Sequence, residues 1–272
     1  MDTTLIAGGN SGIGLRTARE LLDAGHRVVL LGRDPRKGEE ALASFGAARD
    51  RASFHAVDLS TDDGVRAAAE TVLKGHQCID ALVHTTGVFT SKEIRTADGL
   101  TTTVAVNYLS RYHLTQLLLP ALRAAEHPRV VMMTARLSPA ADLDFTGFPE
   151  FRPYEPARVG KLVHLGNHLY AAHLARTEPG FLTGVVNAGG ASTDIMRSQP
   201  WWMRATAKLL IPLLYNSIEE SAHNAVQAAA RTDWPTATYW DKPGTFTHQT
   251  LIFPAEATVQ KIMTASHKIT GA

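Results

Sequence analysis

Leu5-Ile6-Ala7-Gly8-Gly9-Asn10-Ser11-Gly12-Ile13-Gly14, followed at once by Leu15-Arg16-Thr17-Ala18-Arg19-Glu20-Leu21, is the stretch that decides the fold. A short apolar strand runs into spaced glycines, and a helix-forming segment starts on the last of them. Glycine lets the backbone turn tightly and come close to a diphosphate. A helix N-terminus adds unpaired N–H groups and the positive end of its dipole. The run is first in the chain and lies between a strand and a helix, so it reads as a phosphate-binding turn. The residues that would serve it are Gly8, Asn10, Ser11, Gly12, Ile13 and Gly14.

Working outward, short β-rich runs alternate with longer helical patterns. Strands are expected at Thr4–Ala7, Arg27–Leu31, Ser53–Val57, Ala81–Thr85, Arg129–Thr134, Thr183–Asn187 and Thr236–Trp240. Helices are expected around Gly12–Ala24, Arg36–Phe45, Asp62–Gly75, Thr101–Ala124, Ala157–Arg176 and Ile218–Arg231. Alternation of this kind gives βαβ units, and near-continuous apolar strands suit a sheet covered on both faces. The fold class is therefore α/β: a Rossmann-like, doubly wound parallel sheet of about seven strands with helices on both faces. With 272 residues, 44% of them hydrophobic, the chain fits a single domain spanning 1–272.

A formal charge of +1 with interspersed signs gives no footprint for nucleic acid. The single cysteine, Cys78, excludes an internal disulfide and suits a reducing compartment. Met1-Asp2-Thr3-Thr4 has no basic n-region of a secretory signal. The apolar run Leu209–Leu214 is far short of the roughly 20 residues of a spanning helix. These features lead to the expectation of a soluble, cytoplasmic protein without a transmembrane segment. No metal-ligating cluster is evident, so no metal is expected.

The glycine spacing, Gly-x-x-x-Gly-x-Gly, resembles that of the short-chain dehydrogenase/reductase family, with Ala7 where the family usually carries threonine. Asp58-Leu59 resembles the pair that contacts the adenine. His84-Thr85-Thr86-Gly87 stands where the family has Asn-Asn-Ala-Gly, which brings Thr85, Thr86 and Gly87 into the cofactor site. Asn107 matches the helix asparagine that holds a structural water. Asn187-Ala188-Gly189 and Thr193 match the loop and threonine that embrace the nicotinamide, so Gly189 and Thr193 join the cofactor set. Asp98-Gly99, Asn107-Tyr108-Leu109 and Leu117-Leu118-Leu119-Pro120 are most similar to the retinol-dehydrogenase-like branch.

An acidic residue at the end of the second strand would bind a ribose 2′-hydroxyl and repel a 2′-phosphate. Here that position is Gly32, and Arg33 follows with a planar fork suited to phosphate. Asp34 is placed to cap a helix starting near Pro35. NADP(H) is the expected cofactor.

The resemblance also implies a tyrosine four residues before a lysine, which places both on one helix face. Lys161 fits the lysine, with roles toward both cofactor and catalysis, but four residues earlier stands Ala157. The serine expected at the end of the fifth strand is Ala135. Asn107 and Lys161 are thus retained and two members of the set are replaced. Tyr154 from the preceding loop and Thr134 from the strand are the candidate catalytic substitutes, with Ser138, Arg136, Asp142 and Asp144 in the same segment. His164 and His168 share the lysine's face and are expected at a subunit interface, because this helix often packs in a dimer in the family.

Pro200-Trp201-Trp202-Met203 opens an apolar stretch in the region of the family's variable substrate lid, about 194–216. It suits a bulky, apolar or aromatic small-molecule substrate. The expected activity is NADP(H)-dependent oxidoreduction of a bulky apolar carbonyl, imine or alcohol by a homodimer or homotetramer. The alternatives are a non-redox cyclisation, dehydration or isomerisation on the same fold, and a non-catalytic NADP-binding protein.

Overall fold

The computed structural model describes residues 1–136, 144–189, 216–251 and 256–272. The elements in chain order are β1 (Thr3–Ala7), α1 (Gly12–Asp23), β2 (Arg27–Gly32), α2 (Pro35–Ala43), a 3₁₀ turn (Gly46–Arg51), β3 (Ala52–Ala56), α3 (Asp62–Gly75) and β4 (Ala81–His84). A helical run follows, made of α4 (Thr102–Val104), a π-helical turn (Ala105–Leu109) and α5 (Ser110–Arg123). Then come β5 (Arg129–Thr134), α6 (Pro156–Thr177), β6 (Leu182–Asn187), α7 (Ile218–Ala230), β7 (Thr238–Trp240), β8 (Gln249–Thr250) and α8 (Glu256–Thr270).

The strands form one sheet in the order β3-β2-β1-β4-β5-β6-β7-β8, parallel except for the antiparallel β7–β8 pair. The sheet has eight strands, not the seven expected. The extra one is a two-residue, exposed edge strand that carries no apolar run to announce it. Side chains of successive strand residues point to opposite faces, and two cores result. Leu5, Ala7, Leu82, Val130 and Met132 face the layer of α5, α6 and α8. Ile6, Val83, Val131 and Met133 face α1 and α7.

Strand order reverses on either side of β1, whose neighbours are β2 and β4. In open α/β sheets such a switch point leaves a crevice at the strands' carboxyl ends, where ligands bind. The helices bring their buried stripes to the sheet at helical spacing; in α1 these are Gly14, Thr17, Ala18, Leu21 and Leu22. Asp34 is the N-cap of α2, its carboxylate accepting from the Lys37 N–H at 3.2 Å, with Pro35 in the first turn.

The π-helical turn places Asn107 and Tyr108 inward. Tyr108 packs over Gly166 of α6, where a Cβ would stand 2.9 Å from the ring, and its hydroxyl meets Ser266 Oγ at 3.0 Å. The C-terminal helix is thereby keyed to the helix that carries Asn107. Among the described residues, no helix is long and apolar enough to cross a membrane.

Leu82 is fully buried at the middle of the sheet. Leu82→Ala is expected to lower the unfolding free energy by about 2–5 kcal/mol, read from urea denaturation with an unchanged m-value.

Candidate functional site

The β1–α1 turn is built on backbone proximity. Gly8 has φ +88° and its N–H bonds the Leu31 carbonyl at 2.8 Å. A Cβ on Gly14 would lie 2.3 Å from the Gly8 carbonyl oxygen and 2.5 Å from Thr85 Oγ1, so only glycine lets α1 start this close to β1. Ser11 is the N-cap but its side chain makes no capping bond, and the first turn holds no acid. The opening N–H groups of α1 are therefore available to an anion. This glycine cradle under an uncapped helix start fits the diphosphate of a dinucleotide, with Gly8, Asn10, Ser11, Gly12, Ile13 and Gly14 around it.

At the end of β2, Gly32 lies against the Asn10 side chain, where a Cβ would be 2.4 Å from Cγ. The Asn10 amide donates to the Asp34 carbonyl at 3.2 Å. Arg33 is exposed and makes no ion pair among the described residues. A cation at this rim, beside a glycine and with the neighbouring acid engaged in capping α2, fits a 2′-phosphate. After β3, the exposed Asp58 accepts from the Ser60 N–H at 3.0 Å, and Leu59 is buried beneath it.

At the end of β4, Thr85 donates from Oγ1 to the Ala7 carbonyl at 2.8 Å, tying the two strand ends at the switch point. His84 is buried and paired with Thr115 at 2.9 Å, so its ring belongs to the core. Gly87 is exposed on the rim. Asn107 makes two bonds to the backbone of one residue: Val88 N–H donates to Oδ1 and Nδ2 donates to the Val88 carbonyl, both at 2.9 Å. It pins the loop after β4, and its own carbonyl receives Asn167 Nδ2 at 2.8 Å.

Beneath this rim lies Arg111, which sequence reasoning missed. It is buried, donating to the Met133 carbonyl at 2.6 Å, to the Thr86 carbonyl, and to Asn167 Oδ1 at 3.4 Å. Burial pulls its pKa down to about 9, which still leaves a cation at neutral pH. It joins the ends of β4 and β5 through their backbones.

Helix α6 begins at Pro156, with Glu155 in extended geometry before it. Tyr154 is consequently outside the helix. Its hydroxyl is engaged by Thr90 Oγ1 at 2.8 Å and Thr103 Oγ1 at 3.3 Å. Thr134 is the last residue of β5, and its hydroxyl is buried without a hydrogen-bond partner among the described residues. Ala157 and Lys161 lie one turn apart on α6, both exposed, and Ala135, the first residue beyond β5, is exposed at the rim.

His164 and His168 turn inward, toward β5 and β7. His168 is buried edge-on to Tyr239, ring centroids 4.8 Å apart. His164 is partly buried, and its Nδ1 accepts the Ala135 N–H at 3.4 Å. Burial, reinforced by Arg111, pushes its pKa down to about 4. The helical period indicated a shared face with Lys161, but not that this face abuts β5.

Gly189 has φ +65° and packs against Asn216, with its N–H bonded to Asn187 Oδ1 at 2.8 Å. Arg136 is paired in a fork with Asp241 at 3.0 and 3.1 Å, and Asp144 with Arg158 at 3.4 Å. Thr193, Ser138, Asp142 and the apolar stretch from Pro200 to Tyr215 lie outside the described residues. Among the described residues, no three His, Cys, Asp or Glu side chains cluster so as to hold a metal ion.

The family described as short chain dehydrogenase matches residues 2–149. The chain is 31% identical over 237 residues to polyprenol dehydrogenase of Mus musculus, covering 83% of this chain and 70% of that one. It is 29% identical over 247 residues to retinol dehydrogenase 14 of Mus musculus, covering 85% and 74% respectively. A solved structure described as the Pseudomonas aeruginosa RhlG/NADP active-site complex aligns with a TM-score of 0.67 at 23% identity. That alignment covers 90% of this chain and 96% of the other, a likeness of fold.

Burial also pushes His168 down, to about 3, with His164 adding to the shift. Both rings stay neutral in the fold while the unfolded chain protonates near 6.5. Their contribution is therefore complete above pH 6.5 and is lost as the pH falls toward 4 and 3. Between about pH 7 and 5 the unfolding free energy is expected to drop by on the order of 4 kcal/mol, about 2 from each ring, and about half as much in His168→Gln. Denaturant titrations at several pH values measure it.

Proposed function

Because the chain belongs to the short chain dehydrogenase family, we propose that it is an NADP(H)-dependent oxidoreductase acting on a bulky apolar carbonyl, imine or alcohol. Residues 1–272 act in this reading as one cofactor-binding domain. The observation that carries it is the cradle at Gly8 and Gly14 under the uncapped start of α1, at the sheet's switch point.

When bound, the cofactor gives up or accepts a hydride at the substrate carbon. The protein's part is to hold, orient and polarise. The opening N–H groups of α1 hold the diphosphate, and Arg33 holds the 2′-phosphate. Lys161 holds the ribose, Asn107 fixes the loop after β4, and Gly189 with Thr193 borders the nicotinamide. The relatives' names, polyprenol and retinol dehydrogenases, support a long isoprenoid alcohol or its aldehyde as the substrate class.

Ala157 and Ala135 stand where the family's proton donor and substrate-orienting hydroxyl belong. An iminium substrate needs no donor, since hydride addition yields a neutral amine directly. The same two alanines favour a second reading, in which the chain holds NADP(H) without redox turnover, as a non-redox enzyme or a binding protein. NADPH oxidation with all-trans-retinal or with a panel of cyclic imines supports the first reading. Tight NADPH binding without oxidation by any of them supports the second.

Charge-assisted bonds to phosphate contribute about 1.5–3 kcal/mol. Arg33→Ala is therefore expected to weaken NADPH binding by about 10- to 100-fold and leave NADH unaffected. Fluorescence titration reads both affinities; equal losses for the two nucleotides would remove Arg33 from the 2′-phosphate.

A further inference from the structure

We infer that His164 is the group that hydrogen-bonds the reacting substrate oxygen, donating from Nε2–H at the rim between β5 and α6. The inference rests on the oxidoreductase reading above and names the residue that takes over at that site.

Among the described residues, Tyr154's hydroxyl is engaged by Thr90 and Thr103, Thr134's is buried, and Ala135 and Ala157 offer only methyl groups. His164 lies three residues after Lys161, one turn along the same side of α6. Its ring abuts the backbone of Ala135, the first residue beyond β5. A hydroxyl in place of the Ala135 methyl group would have occupied this rim, so the imidazole stands beside the place that two alanines leave open.

The hydrogen bond fixes the tautomer. Nδ1 accepts the Ala135 N–H, so it carries the lone pair, and the proton of the neutral ring resides on Nε2. Nε2 makes no hydrogen bond among the described residues. The groups that bear on the ring are the Arg111 guanidinium of α5, with His168 and Lys161 on its own helix. Burial, with the Arg111 charge, disfavours an imidazolium, so at neutral pH the ring is a donor dipole.

A neutral donor suits an oxygen that becomes negative. In the reducing direction the carbonyl carbon gains the hydride that NADPH gives up, and the π pair moves onto oxygen. Nε2–H holds that oxyanion, with the Arg111 charge behind it. A proton from water completes the alcohol, and NADP⁺ is the oxidised product. In the reverse direction water takes the alcohol proton.

The test uses the full chain, with all-trans-retinal and all-trans-retinol as probes. His164→Ala is expected to lower kcat for NADPH-dependent retinal reduction by about 100-fold with little change in KM. His164→Gln, whose amide nitrogen reaches the Nε2 place, is expected to recover at least about tenfold, whereas His164→Asn, which reaches only the Nδ1 place, recovers none. NADPH affinity by fluorescence stays unchanged in all three variants. Independently of turnover, the His164 Nε2–H signal in ¹⁵N-histidine NMR, assigned by its loss in His164→Gln, shifts when retinol is added to the NADPH-bound protein. Unaltered kcat in His164→Ala overturns the inference and leaves the oxidoreductase reading standing. An unshifted Nε2–H signal overturns it whether or not turnover is seen, and so does lost NADPH affinity confined to the variants. Failure of the unsubstituted protein to bind NADPH overturns the oxidoreductase reading itself.

Discussion

The closeness of Gly14 to the Gly8 carbonyl is the constraint on which the rest of the structure depends. It sets where α1 begins, and hence where that helix's free N–H groups and dipole point. Thr85 fits into the same crowded junction, bonded to Ala7, so β4 is brought to a fixed height beside β1. From β4 the constraint passes to Asn107 through Val88, and from Asn107 to α6 through Asn167. A contact between two glycines at the start of the chain therefore positions a helix that begins at residue 156.

Arg111 braces the carboxyl ends of β4 and β5. Burying a cation is costly unless its donors are satisfied, and here the acceptors are two strand-end carbonyls and an asparagine side chain. Among the described residues, Nε alone is left without a partner. The guanidinium thus closes the gap between β4 and β5 and sets the field at their carboxyl ends. Coulomb interactions are far stronger there than in water, so the same charge that braces the strands also governs the neighbouring imidazole.

Much of this was legible from local sequence. The parallel strands announced themselves because burial on both faces forces continuous apolar runs. Asp34-Pro35 declared its helix because capping depends on a few adjacent residues, and Pro156 correctly fixed the start of α6 by restricting the residue before it. What was illegible depended on partners distant in sequence. The contact of Tyr154's hydroxyl with Thr90, 64 positions away, and that of His164's ring with Ala135 leave no mark on local sequence. Arg111 carried no signal at all, since an arginine in an amphipathic helix reads as solvated. Helix α8 did carry one, with Val259, Ile262, Met263 and Ser266 at helical spacing, and it was overlooked.

Replacing a phenol by a neutral imidazole changes the kind of help the substrate oxygen receives. A phenol lowered toward neutrality by a nearby ammonium both donates a hydrogen bond and surrenders its proton, so its usefulness depends on its own ionisation. A ring held neutral by burial and by Arg111 donates without ionising across the ordinary pH range. It stabilises charge and leaves delivery of the proton to water, which requires the rim at Ala135 and Ala157 to stay wet. Both alanines are exposed, and neither carries a side chain that would exclude a water molecule. The two losses and the one gain thus belong to a single arrangement: small residues admit the proton source, and the histidine beside them holds the oxygen that receives it.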